Sequence, residues 1–123
     1  MRRIALVIAL VLGLVVAGCG SDERSGLFSD DGSTGSADYH YVIPAGSGEA
    51  IDRGESLDIL PPELTVRVGE VIELVNEDDR GHLVGPFFVG KGETLRQRFT
   101  DTGTFVGRCS VHPSGEILLN VTE

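Results

Sequence analysis

Methionine is almost absent from this chain: the only one is Met1. No thioether is therefore available inside a folded domain, either as packing or as a ligand. Histidine is scarce, with three residues at His40, His82 and His112, and cysteine scarcer, with Cys19 and Cys109. The lack of any Met-rich or His-rich tract argues against high-capacity metal storage. No internal repeat is visible, no stretch carries a convincing helical period, and no hydrolytic triad can be assembled. Basic residues are also few, ten Lys and Arg against nineteen Asp and Glu, for a formal net charge of −9. That balance argues against nucleic acid, whose phosphates it would repel.

What is present begins with an N-terminal secretion pattern. Met1-Arg2-Arg3 is basic, and Ile4 to Ala17 is an unbroken apolar run with one glycine. Val16-Ala17-Gly18-Cys19 closes it with small residues, as a signal-peptide cleavage site does. The run is shorter than the roughly 20 residues that span a bilayer. Val16-Ala17-Gly18-Cys19 also resembles the lipobox of bacterial lipoproteins. The resemblance implies a signal peptide over residues 1–18, cut before Cys19, and a lipid-modified Cys19 facing the extracytoplasmic side of the cell envelope. Two or more acyl chains make a stable anchor in the lipid bilayer. With Arg2 and Arg3 removed, eight Lys and Arg face nineteen Asp and Glu, a net −11. Such a surface suits a basic protein partner as well as solubility.

Residues 19–38 are rich in Gly, Ser and Asp, with Leu27, Phe28 and Ala37 the apolar exceptions after Cys19. This composition reads as a flexible linker, with an r.m.s. span of roughly 25 Å. A single domain is expected over residues 39–123. Its short alternating segments, punctuated by Gly, Pro and Asp, predict an all-β sandwich. Strands are expected at Tyr39–Ile43, Leu57–Leu60, Leu64–Val68, Val71–Val75, around Leu95–Phe99, at Thr104–Cys109 and at Ile117–Val121, with a loop over Ala45–Ser56. In Thr104–Cys109, period two puts Phe105 and Cys109 on the same, inward face.

With Cys19 consumed by lipid, Cys109 is an odd thiol in an exported protein. It is either intermolecularly paired, reactive, metal-bound or simply a buried structural cysteine. His112 stands three residues after it, in Cys109-Ser110-Val111-His112-Pro113, and His82 lies upstream in the Asn76-to-His82 loop. Taken singly, each histidine reads as loop decoration. Together, one thiolate and two imidazoles from two loops of a β domain are the donors of a trigonal copper site. His40, beside the linker, reads as solvated.

The same stretches resemble the cupredoxin family, the plastocyanin-like blue copper proteins. Val68-Gly69-Glu70-Val71-Ile72 is similar to the strand-turn-strand before that family's first ligand. Asn76–His82 is similar to the loop delivering the first histidine, and Gly92-Glu93-Thr94 with Phe99 to the turn and strand after that loop. Gly103 to Pro113 resembles the closing strand and ligand loop. The resemblance implies a Greek-key β-sandwich and one mononuclear, type 1-like copper ion held by His82, Cys109 and His112. It also implies a monomer that exchanges single electrons with a redox protein partner. The family's axial methionine is missing. At the family's spacing its place falls on Ile117, which cannot coordinate; aligned by the last strand, the position is deleted. The Gly81 carbonyl and the Glu116 carboxylate are the candidate weak axial donors, a solvent-facing Glu116 being the simpler reading.

Other functions stay open beside the electron carrier: a copper-holding or delivery lipoprotein without redox turnover, a metal-free interaction module, or a copper enzyme acting on a small molecule. Three histidines are too few for a trinuclear cluster in addition to this site, and no second cysteine near Cys109 supports a binuclear centre. Pro86-Phe87-Phe88 reads as core and loop packing, with a docking patch as the minor alternative.

Overall fold

The structure is a computed structural model and describes residues 27–123. The expected signal peptide and Cys19 lie outside the described residues.

Alternation builds the strands. In β3 (Glu63–Arg67) Leu64 and Val66 are buried between exposed Glu63, Thr65 and Arg67. In β9 (Glu116–Thr122) Ile117, Leu119 and Val121 point inward. β3 runs parallel to β9, with Leu64 opposite Leu119 and Val66 opposite Val121. β8 (Gly103–Arg108) lies antiparallel on the other side of β9, giving the sheet order β3-β9-β8. The second sheet has the order β1-β7-β4-β2, from β1 (Phe28–Asp30), β7 (Thr94–Phe99), β4 (Val71–Asn76) and β2 (Tyr39–Ile43). β2 is parallel to β4, and β7 is antiparallel to both β4 and β1.

The inner faces of the two sheets share one core, in which Ile72, Leu74 and Phe99 meet Leu64, Val66, Leu119 and Val121. Burying each such side chain is worth about 2 kcal/mol, which fixes the register, since a one-residue slip would turn the set outward. The chain is an all-β sandwich. Consecutive strands change sheets from β3 to β4 and from β7 to β8, a Greek-key habit that closes one end of the sandwich. Gly69, with φ of 93°, makes the first of these crossings. Val68, expected inside, is 42% exposed because the strand ends at Arg67.

At the opposite end, a small hairpin of β5 (His82–Val84) and β6 (Phe87–Val89) lies across the edge of both sheets. Phe87 is buried and Phe88 exposed. The expected alternation in β8 holds: Phe105 packs against the core and Cys109 is buried within it.

Three local expectations change. A short helix α1 (Ser47–Asp52) occupies the expected loop over Ala45–Ser56. It lacks a helical apolar stripe, and is held instead by the Asp78 carboxylate, which accepts from the amides of Gly46 and Gly48. The segment Leu57–Leu60 forms no strand. Leu60 is buried, and Leu57 and Ile59 pack against the core, so apolarity there marks burial without pairing. Within the expected linker, Phe28–Asp30 forms β1. Phe28 stands edge-on to Phe87, with ring centroids 4.8 Å apart, and Asp31 reaches Arg96 and Arg98. Leu27 and Phe28, the two large apolar residues in that stretch, dock it.

Candidate metal centre

The loop from Asn76 to His82 is organised by buried polar side chains. The Asn76 side-chain amide lies 2.6 Å from the Arg80 carbonyl and 3.0 Å from that of Gly90. Its Oδ1 accepts from the Asp78 amide at 3.0 Å, an Asx turn that aims Asp78 back into the protein. Asp78 is then four residues before His82, and its Oδ2 lies 2.7 Å from His82 Nε2.

This contact sets the imidazole. The hydrogen bond from His82, opposed by burial and helped by amides including that of Gly48, brings the Asp78 carboxyl down to about 2. An ionised carboxylate only accepts, so His82 Nε2 carries a proton. In the neutral ring, Nδ1 then presents its lone pair, 3.1 Å from Ser110 Oγ. A carboxylate behind an imidazole in this way fixes the tautomer and raises donor strength.

Ser110 directly follows Cys109, and backbone pairing brings these residues to β5. The Ser110 amide donates to the Leu83 carbonyl at 2.8 Å, the Gly85 amide donates to that of Arg108 at 2.7 Å, and Val84 bridges Cys109. Cys109 is a free, buried cysteine. Burial pushes its thiol upward, against the opposing effect of the Val111 amide. The thiol is thus shielded from solvent and stays protonated unless a cation displaces its proton.

His112 is placed differently. The loop after Cys109 is closed by the Cys109 amide donating to the Gly115 carbonyl and the Gly115 amide to that of His112, both at 2.9 Å. Within it, His112 Nδ1 accepts from the Ser114 amide at 3.1 Å and lies 2.7 Å from Ser114 Oγ. Its Nε2 lies 3.9 Å from an Asp58 carboxylate oxygen. The structure therefore brings His82 to Ser110, the residue after Cys109, and turns His112 to Ser114. Among the described residues, no group of three or more His, Cys, Asp and Glu is gathered as for a metal ion.

The axial candidates are also located. Ile117 lies within β9, buried and paired with Gly107 of β8. Glu116 opens the same strand, exposed and opposite Arg108. Gly81 lies under the Phe88 ring, where any Cβ would collide. His40 sits on the outer face of its sheet, 2.8 Å from Glu73 Oε1 and apart from the other histidines.

In chemical type the donors fit copper: a shielded thiol directly follows β8, and an imidazole oriented by a buried carboxylate opens β5, whose Val84 bridges Cys109. His112 Nδ1 is engaged by Ser114, whereas its Nε2 has only Asp58 at 3.9 Å among the described residues. Sequence reasoning missed Asp78 as the group that orients His82. Its signal was there, in the four-residue spacing and the Asn-x-Asp turn.

No family model matches the chain, and no curated protein is significantly similar to it. Among solved structures, the chain is similar to amicyanin from Paracoccus versutus, at 19% identity and a TM-score of 0.47, over 77% of this chain and 97% of that one. It is also similar to a purple cupredoxin from Nitrosopumilus maritimus, at 22% identity and a TM-score of 0.44, over 69% and 100%. A reduced Cu(I) form of an amicyanin variant at pH 4 matches at 20% identity and a TM-score of 0.44, over 74% and 87%. These values are too low to assign chemistry, which rests on this chain's own residues.

Proposed function

We propose that this chain is a lipid-anchored, mononuclear copper protein that passes single electrons between redox partners at the cell envelope. His82, Cys109 and His112 would hold the ion. The observation that carries the reading is the line from the buried Asp78 carboxylate through His82 to Ser110, beside the buried Cys109 thiol. Copper, when bound, supplies a one-electron couple between Cu(I) and Cu(II). The chain's own residues orient the imidazole, exclude water from the thiol and hold both on a sandwich that stays rigid through oxidation and reduction. Rigid support of this kind lowers the reorganisation that electron transfer requires.

One observation favours a second reading, a protein that holds or delivers copper without redox turnover. His112 Nδ1 already has Ser114 as a partner and His82 Nδ1 has Ser110, so either nitrogen must exchange partners to bind. Visible spectroscopy after adding Cu(II) separates the two. An intense thiolate-to-copper charge-transfer band supports the electron carrier. Stoichiometric metal without colour supports copper holding. No binding at all overturns both and leaves an interaction module.

A further inference from the structure

The sandwich has two distinct ends, and the N-terminal segment enters at one of them, although the Phe28 ring reaches Phe87 of the β5–β6 hairpin. Thr100 donates to the Leu27 carbonyl at 2.8 Å, Phe28 is opposite Phe99, and Leu27 packs over Gly103. The Val68–Gly69 crossing lies there too, since Gly69 donates to Phe99 and Val68 to Thr122. From that end β8 runs from Gly103 to Arg108 and delivers Cys109 at the other. Six residues of strand separate the two ends by about 20 Å. His82, the Asn76 loop and the 109–115 loop all lie at the far end.

Docking of β1 also changes the length of the anchor. Seven residues lie between Cys19 and Leu27, against nineteen between Cys19 and Tyr39. At full extension these span about 27 Å and about 65 Å. For the Cys109 end to touch a bilayer, the attachment end must stand at least about 20 Å, plus the loops, above it. The short anchor reaches that height only when nearly taut, an ordering that costs conformational entropy. The long one reaches it easily.

We propose that β1 is an orienting clamp: it shortens the lipid anchor so that the His82–Cys109 end faces away from the membrane and meets its protein partner from the aqueous side. This rests on lipidation at Cys19. Several contacts hold the clamp at once. Asp31 donates its amide to the Arg96 carbonyl, Gln97 donates to the Asp30 carboxylate, and the Asp31 carboxylate accepts from Arg96 and Arg98.

The test uses the lipidated full chain in vesicles carrying a headgroup acceptor fluorophore. Lys91 is the only lysine and is exposed in the turn before β7, at the far end. A donor dye on Lys91 is compared with one on a lysine moved to the attachment end (Lys91→Arg with Asp101→Lys). A lysine-free Lys91→Arg protein corrects for labelling of the α-amine. Energy transfer from position 101 should exceed that from position 91 at least twofold. Inserting twelve Gly and Ser residues after Gly26 lengthens the anchor and should bring the ratio toward one. Amide exchange at Thr100 and Asp31 should be slow in the unmodified chain. Equal transfer from both positions, or fast exchange at those amides, overturns the clamp while leaving the anchor intact. Mass spectrometry showing no lipid on Cys19 overturns the anchor, and the clamp with it.

Discussion

Asp78 Oδ2 lies 2.7 Å from His82 Nε2, with the two side chains only 1% and 3% exposed. The same carboxylate holds the start of α1 through the amides of Gly46 and Gly48. One residue therefore ties the helix, the Asn76 loop and the imidazole together. Asp78→Ala leaves two amides and an imidazole N–H without their acceptor, and should lower stability by about 3 kcal/mol in urea titrations. Asp78→Asn, which keeps one acceptor oxygen, should cost less. Losing an orienting carboxylate of this kind typically weakens metal binding 10–100-fold. Copper affinity unchanged in Asp78→Ala would mean that His82 is not a ligand or is oriented by other groups.

Ligand substitutions sort the donors. Cys109→Ser keeps the volume and removes the soft donor, so the charge-transfer band should vanish. His82→Ala and His112→Ala should each weaken or recolour the site. His40→Ala, on the outer sheet face beside Glu73, should leave the spectrum as it was. A wild-type spectrum from Cys109→Ser would refute the ligand assignment.

Gly85 joins the strands of the β5–β6 hairpin and packs closely against Ile117 of the core. Its φ is 57°, and an added Cβ would sit 2.8 Å from Ile117 Cγ2. Gly85→Ala should cost about 2–3 kcal/mol, the sum of left-handed strain and overpacking. Gly69→Ala, with φ of 93° and open space around it, should cost only the strain, about 1 kcal/mol. Because the Gly85 penalty is partly a contact with Ile117, Gly85→Ala with Ile117→Ala should be less damaging than the two single changes added together. Strict additivity in denaturant titrations would show that Ile117 does not crowd Gly85.

Acid should loosen the contacts that Arg96 and Arg98 of β7 make with Glu73 of β4 and with Asp31. Arg96 holds the Glu73 carboxyl below its usual range, opposed by burial and aided by His40. Ser33, with Arg98 behind it, does the same for Asp31. Both values are depressed on folding, so their stabilisation is complete above the unfolded carboxylate range near 4 and is lost as pH falls through the folded values. Arg96→Met removes the leading cause at Glu73 and should flatten the decline in the urea midpoint between pH 5 and about 2. An unaltered slope would place the acid sensitivity elsewhere.

Anchoring should depend on Cys19 alone. Cys19→Ala should move the protein from the detergent phase to the aqueous phase and abolish acyl-chain labelling. A wild-type mature N-terminus well beyond Cys19, without lipid, would end the lipoprotein reading.

Alternation in Leu64–Val66, Ile72–Leu74, Phe105–Cys109 and Ile117–Val121 determined the strands, their buried faces and the inward thiol. Side chains two apart share a face whatever the topology, so the linear sequence carries that information. It also carried the donor types and the missing thioether, which composition alone decides. Tertiary structure decided the rest. α1 exists because Asp78 reaches it across thirty residues, and β1 because Phe28 finds Phe87 and the free edge of β7. Neither has a local period to announce it. The aim of His82 and the turn of His112 toward Ser114 depend on side-chain rotamers and hydrogen-bond competition within loops, and spacing along the chain does not encode which partner wins.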